Sequence, residues 1–348
     1  MLSLYLVSGL FLGWSLGASD ASNVFGTAVT TGMIRYRTAV ICAAVFVILG
    51  AFLGGSGTSK TLESLGAINA LPGAFVVVLS AAVSIYVMVV VRYPVSTSQA
   101  IVGAIVAWNI FAGRPTDTRI FFEIAATWVA CPVLAAIFAM LLYKLTAKVI
   151  NLLRPGLFKL DRGLRVSLLI VGIFGSYSLG ANNIANVVGV FVPSVHWPAL
   201  HVPVLGTISG ASQLFLLGGI AIAVGVITYS RRVMDTVGKG IMPLTPVGAF
   251  VAVLAHSLVL FIFASKSLSA FVASLGLPAI PLVPVSSTQA IVGAVVGIGL
   301  LKGGHAIKWK MILKIASSWV TTPILAGVIC LLLLFVMQNM FGQPVFLP

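Results

Sequence analysis

The chain has 348 residues, 60% of them hydrophobic and only 7% charged, with a mean hydropathy of +1.16 and a formal net charge of +14. A water-soluble domain cannot hide that much apolar surface, and loops this short leave no room for a soluble catalytic domain, so the composition reads as a polytopic helical membrane protein and not an enzyme. Cys42, Cys131 and Cys330 all lie in apolar runs and offer no metal-ligand spacing.

The first apolar segment covers about residues 2–34 and is interrupted by a small, polar phrase at 17–23, "GASDASN". No Lys or Arg precedes Arg35, so the basic region of a signal peptide is missing and this reads as an ordinary membrane segment. Further apolar segments lie near 38–57, 73–91, 95–112 and 120–143. A basic stretch at 144–165 follows, and then the pattern starts again.

Four phrases recur in the same order. "SLGASDASNVFG" at 15–26 returns as "SLGANNIANVVG" at 178–189, and "KTLESLG" at 60–66 is weakly echoed by "RVMDTVG" at 232–238. "PVSTSQAIVGA" at 94–104 returns as "PVSSTQAIVGA" at 284–294, and "IAATWVACPVLA" at 124–135 as "IASSWVTTPILA" at 315–326. This is an internal duplication. The expected division is a first repeat at 1–155, a basic cytoplasmic linker at 156–162 and a second repeat at 163–348.

About five membrane segments per repeat is an odd number, which turns the second repeat over relative to the first. If all ten segments span, sixteen basic residues fall on one side and Lys60, Arg114, Arg119 and Lys266 on the other. If the two "PVS" segments dip in and return instead, the count is ten against ten. The positive-inside rule favours the spanning arrangement, with the basic loops cytoplasmic and both termini outside, in the inner or plasma membrane. The expected fold is therefore all-α, with two inverted-topology repeats and interrupted helices at the midplane, an architecture of alternating-access transporters.

The repeated phrases carry the chemistry. Pro94 and Pro284 suit the first turn of a helix, and a helix start at membrane depth offers free N–H groups and a positive dipole end. Ser96, Thr97, Ser98 and Gln99, with Ser286, Ser287, Thr288 and Gln289, add donors for a tetrahedral oxyanion without any lysine. Serines and threonines that only mediate helix packing are the simpler alternative for one copy. Asp20 is the one acidic residue well inside an apolar segment, where a carboxylate costs about 2.5–3.5 kcal/mol and needs a partner. With Asn23 and the second-repeat residues Asn183 and Asn186 it forms an oxygen-rich set suited to a hard cation such as Na⁺. A neutral Asp20 sharing hydrogen bonds with the asparagines stays open and would allow proton coupling. Gly17 and Gly180 are expected to let their helices unwind there. In the last phrase, Pro132 and Pro323 are expected to kink helices whose hydroxyls satisfy the freed carbonyls. Packing is the first reading of those hydroxyls, and Thr127 and Ser318 are also candidate cation ligands. Arg92 reads as an interfacial anchor and His256 as a hydrogen-bonded packing residue.

At these motifs the chain resembles the PiT family of inorganic phosphate transporters. The family's Gly-Ala-Asn-Asp-x-Ala-Asn signature stands here as "GASDASN" and "GANNIAN", and its "PVSTTH"-type phrase as "PVSTSQ" and "PVSSTQ". The resemblance implies secondary active uptake of phosphate, coupled to Na⁺ in some members and to H⁺ or a metal–phosphate complex in others. It places the cation and substrate centre at Asp20, Asn23, Asn183 and Asn186, and phosphate contacts at residues 96–99 and 286–289. The second signature Asp is Asn183 here, the His of the second phrase is Gln99 and Gln289, and glutamates of animal members align with Val47 and Val253. The loss of titratable groups favours Na⁺ over H⁺ and leaves sulfate open as a substrate. The resulting expectation is a Na⁺-coupled phosphate symporter with no cofactor, surrounded by lipid, and compatible with a homodimer. A proton-coupled phosphate or sulfate permease and an anion channel are the alternatives.

Overall fold

The computed structural model describes residues 2–66, 68–90, 95–203, 206–237 and 242–347; Arg92, Pro94 and Lys239 lie outside them. Among the described residues there are twelve α-helices. The first half contains α1 (Leu2–Thr30), α2 (Tyr36–Gly54), α3 (Ser56–Gly66), α4 (Leu71–Val90), α5 (Thr97–Phe111) and α6 (Thr118–Leu153). The second contains α7 (Leu157–Val188), α8 (Gly210–Val237), α9 (Pro246–Ala264), α10 (Lys266–Ser274), α11 (Ser287–Leu301) and α12 (Trp309–Asn339). Residues 157–162, read from the sequence as linker, form the first turns of α7. A 3₁₀ turn (Gly189–Ser194) and an antiparallel pair of three-residue strands, β1 (Leu200–Val202) and β2 (Gly206–Ile208), precede α8 and had no counterpart in the sequence reading.

Among the described residues seven helices are long and apolar enough to cross a membrane, and the chain is an integral membrane protein. The outward faces of α6 and α12 show what such a protein presents to lipid. Phe122, Val129, Leu141 and Leu145 are exposed on α6, and Leu313, Val320, Ile324 and Leu332 on α12. Buried positions elsewhere carry Asp20, Asn23, Gln99, Asn182, Asn183, Asn186, His256 and Gln289. An apolar outer face, with polar side chains set into an otherwise apolar core, departs from the pattern of a soluble fold.

Helix pairings recur with the halves exchanged. α1 packs on α8 as α7 packs on α2, α5 on α12 as α11 on α6, and α1 on α4 as α7 on α9. The crossings coincide in detail. A Cβ on Gly103 would collide with the Pro323 carbonyl oxygen, and one on Gly293 with that of Pro132. Gly297 meets Ala136 one turn further along both chains, so α11 and α6 run in the same direction.

The expected unwinding at Gly17 and Gly180 does not occur: α1 and α7 are continuous through both phrases. The glycines have a different use, admitting a neighbouring backbone. A Cβ on Gly17 would strike the carbonyl of Ile222, and one on Gly180 that of Val47. The interruptions fall before α5 and α11, each of which has 15 residues and so rises about 22 Å, less than a hydrocarbon core of about 30 Å. The hydroxyls beside Pro132 and Pro323 also act differently from expectation. Pro132 frees the carbonyl of Trp128 and Pro323 that of Trp319. Thr127 donates to Ile124 instead (2.6 Å), Ser318 to Ile315 (2.6 Å) and Thr322 to Ser318 (2.6 Å).

The two ends of the bundle differ. At one, the Arg165 guanidinium donates to the carbonyls of Gly32 and Met33, Arg231 lies over the Tyr36 ring, and Lys302 over that of Tyr143. At the other, Tyr5 donates to Gln343 (3.1 Å), and Asn69 and Arg114 both donate to the Leu347 carbonyl. The start of α1 and the residues after α12 therefore lie together, at the end carrying Arg114.

Candidate functional site

The site begins with two interrupted helices. Ser96 and Ser286 are extended and cap α5 and α11, each hydroxyl accepting from the N–H three residues on, at Gln99 (3.4 Å) and Gln289 (3.3 Å). Their two lead-in segments cross. Ser98 donates to the Val285 carbonyl (3.2 Å), and Thr288, its repeat counterpart, donates to the Val95 carbonyl (3.0 Å). The two "PVS" phrases, 190 residues apart in the chain, thus meet at a reciprocal pair of bonds.

The asparagine phrases close onto this crossing, each reaching into the opposite half. Asn23 on α1 donates to Ser287 (3.0 Å), and Asn186 on α7 donates to Ser98 (2.9 Å) and to Asn183 (3.0 Å). Asp20 lies one turn before Asn23, is buried, and accepts from Ser19 (3.2 Å). Among the described residues no basic side chain forms an ion pair with it; the two ion pairs present are Arg119–Glu123 and Arg165–Asp161. Thr127 and Ser318 are buried on α6 and α12, where Thr127 donates to the Ile124 carbonyl and Ser318 to that of Ile315.

These bonds sort the candidate ligands by what they still offer. A hydroxyl has one proton and two lone pairs. Ser98 and Thr288 have committed their protons to carbonyls, so toward a ligand they are acceptors, which suits a cation better than an anion. Thr97 has no hydrogen bond among the described residues and retains its proton. Several buried polar atoms also lack a partner among the described residues: Gln99 Oε1, both amide atoms of Gln289, Asn183 Nδ2 and Asn186 Oδ1. A buried polar atom without a partner costs about 1–3 kcal/mol, so a cluster of them marks a place for polar guests.

Two residues here stood outside the ligand sets expected from the sequence. Asn182 accepts from the Val285 N–H (3.0 Å) and its amide faces the carbonyls of Val283 (3.4 Å) and Leu260 (3.5 Å), which fixes the extended lead-in to α11. Its place inside "GANNIAN" was the available signal. Asn182→Ala leaves the Val285 N–H buried and unpaired. The expected loss is about 1–3 kcal/mol, read as a lower melting temperature in detergent, while a surface control at Gln338 shows no change. His256, read as a packing residue, reaches Ser287 through Nε2 at 2.9 Å.

Apart from this cluster, a cavity of about 100 Å³ is lined by Tyr177, Ala181, Ser56, Ser265, Lys266 and Ser267. Burial, and then the nearby Lys60, hold the Lys266 ammonium below the usual lysine range.

A helical membrane protein that seals polar groups of both signs at its centre, on interrupted helices from two similar halves, has the construction of a transporter. The model of the phosphate transporter family matches residues 16–330 and 277–345, and the chain belongs to this family, one of transporters and not of enzymes. It is 28% identical over 328 residues to a candidate phosphate permease of Methanocaldococcus jannaschii, covering 94% of this chain and 95% of that one. It is 25% identical to inorganic phosphate transporter 2-1, chloroplastic, of Arabidopsis thaliana, covering 91% of this chain and 69% of that one. A solved structure described as "The sodium-dependent phosphate transporter" shares the fold, with a TM-score of 0.73, 22% identity and coverage of 97% and 98%.

Proposed function

We propose that the protein is a Na⁺-coupled phosphate symporter in which two inverted repeats, 1–155 and 163–348, rock about the chamber where their phrases meet. The observation that carries this reading is the exchange of bonds between halves: Asn23 to Ser287, Asn186 to Ser98, and the reciprocal ties of Ser98 and Thr288. Phosphate sits between the helix starts, taking donors from Thr97, Ser287, Asn183 and the first-turn N–H groups. Ser96 and Ser286 act as caps that hold those starts. Na⁺ takes oxygens from Asp20, Asn23, Asn186 and the proton-committed Ser98 and Thr288, with Thr127 and Ser318 at the margin and Gln99 and Gln289 offering amides to either ion.

The charges explain coupling. Phosphate carries about −1.5 to −2 charges near neutral pH, so Asp20 alone repels it. A cation between them reverses the sign, and unit charges 4 Å apart at an effective dielectric of about 20 interact by about 4 kcal/mol. Each ion therefore raises the other's affinity by the same factor. The end with Arg165, Arg231 and Lys302 is assigned to the cytoplasm by its positive charge, and the termini to the outside of the cell membrane. The cavity beside Lys60 and Lys266 then gives an arriving anion a positive field. Lipid covers the outer faces of α6 and α12. The site is complete in one chain, so a homodimer is allowed but not required.

Proton coupling is the second reading. One observation favours it: Asp20 has no cationic partner among the described residues, and a proton neutralises a carboxyl as a metal ion does. The test is uptake of radiolabelled phosphate into proteoliposomes with Na⁺ and pH gradients imposed separately, competed by sulfate. An inward Na⁺ gradient is expected to drive accumulation at equal pH on both sides. Accumulation driven by the pH gradient alone, uptake displaced equally by sulfate, or unitary currents would replace the reading with a proton-coupled carrier, a sulfate permease or a channel, respectively.

A further inference from the structure

We infer that His256 is an anion-positioning residue: paired with Ser287 beside the crossing of the two phrases, it keeps one hydrogen-bond donor of the pair uncommitted whichever ring nitrogen holds the proton. This inference rests on the phosphate reading above and extends it to a residue outside both repeated phrases.

His256 is fully buried on α9, and its Nε2 lies 2.9 Å from the Ser287 hydroxyl. Ser287 also accepts from Asn23 Nδ2 at 3.0 Å. A neutral imidazole has one N–H and a serine one O–H, and the bond between them uses only one of the two protons. If Nε2–H donates, both lone pairs of the Ser287 oxygen are filled, by His256 and by Asn23. The serine proton is then free to point elsewhere. If Ser287 donates instead, the ring proton is on Nδ1, which is buried and has no partner among the described residues. Both tautomers leave one donor without a partner among the described residues, which is unfavourable unless an acceptor is present. An oxyanion is such an acceptor; a cation is not.

The first half lacks this device. "GAF" at 73–75 and at 248–250 sets α4 against α9, and His256 then corresponds to Ala81, which is also fully buried. Thr97 stands where Ser287 does, without an imidazole behind it. The anion is therefore held asymmetrically, by a lone hydroxyl from one half and a hydroxyl–imidazole–amide chain from the other. The Gln at 99 and 289, where the resembling family has His, makes His256 the one imidazole bonded to either phrase among the described residues.

The test uses the purified full-length protein in proteoliposomes, with initial rates of radiolabelled phosphate uptake. Saturable uptake by the unaltered protein comes first; its absence removes the phosphate reading itself and leaves this inference without a substrate. His256→Leu is expected to raise KM for phosphate about tenfold or more with Vmax within about twofold, because a donor to a charged group is lost. His256→Gln retains an amide donor and acceptor at similar reach and is expected to keep KM within about threefold. The Na⁺ concentration for half-maximal rate at saturating phosphate stays within about twofold in both. An unchanged KM in His256→Leu overturns the proposal. Equal losses in both variants with lowered melting temperatures overturn it too, since they mark a packing role. If the Leu variant is not recovered from membranes, His256→Phe, ring-sized and without nitrogen, replaces it with the same two outcomes.

Discussion

Asp20→Asn is expected to abolish Na⁺ stimulation of phosphate uptake, raising the half-saturating Na⁺ concentration about 100-fold or more. The substitution preserves shape and removes one charge. Asp20 is buried, accepts from the Ser19 hydroxyl, and has no basic side chain paired with it among the described residues. Removing one member of a buried charge pair costs about 3–5 kcal/mol, and each 1.4 kcal/mol is tenfold in affinity. The same logic predicts a second, independent readout. Without cation, the carboxylate is an uncompensated buried charge, so the Na⁺-free Asn variant is more stable than the Na⁺-free parent. Melting curves in NaCl and KCl at equal ionic strength are then expected to separate for the parent and to coincide for the variant. Unchanged Na⁺ dependence of uptake removes Asp20 from the cation site.

Gly103→Ala and Gly293→Ala are each expected to prevent normal folding, or to lower the melting temperature by about 5 °C or more. Overpacking typically costs about 1–3 kcal/mol, and more where no side chain can yield. Here the obstructing atoms are the carbonyl oxygens of Pro323 and Pro132, which are backbone. The crossing sets the depth at which α5 and α11 begin, so residual uptake in a variant that survives is expected to show a raised KM for phosphate. Gly156→Ala is the control: nothing lies within 4 Å of its added Cβ, and no change in melting is expected. Full stability of either crossing variant means that the helices do not pack as closely as described.

The sequence made the duplicated phrases plain because both halves need the same residue types. Hydroxyls at residues 96–98 and 286–288 and amides at 23, 183 and 186 stand out against apolar helices. What it withheld was where each proton goes. Ser98 and Thr288 look like phosphate donors in the sequence, yet their protons are committed to carbonyls 187 and 193 residues away. A partner that distant is a property of the crossing, not of the local pattern. The same cause hid His256, a single imidazole whose importance depends on α9 facing α11 at Ser287. Gly17 misled for a different reason. Glycine permits either a broken helix or a close neighbour, and only the position of Ile222 decides between them. The short α3 and α10 were missed because each has too few residues to register as a membrane segment.

The bonds from Asn23 to Ser287 and from Asn186 to Ser98 mean that neither half owns a finished binding pocket. Residues 1–155 alone would hold Asn23 without the Ser287 hydroxyl it meets, and residues 163–348 alone would hold Asn186 without that of Ser98, so the cluster exists only where both halves are present.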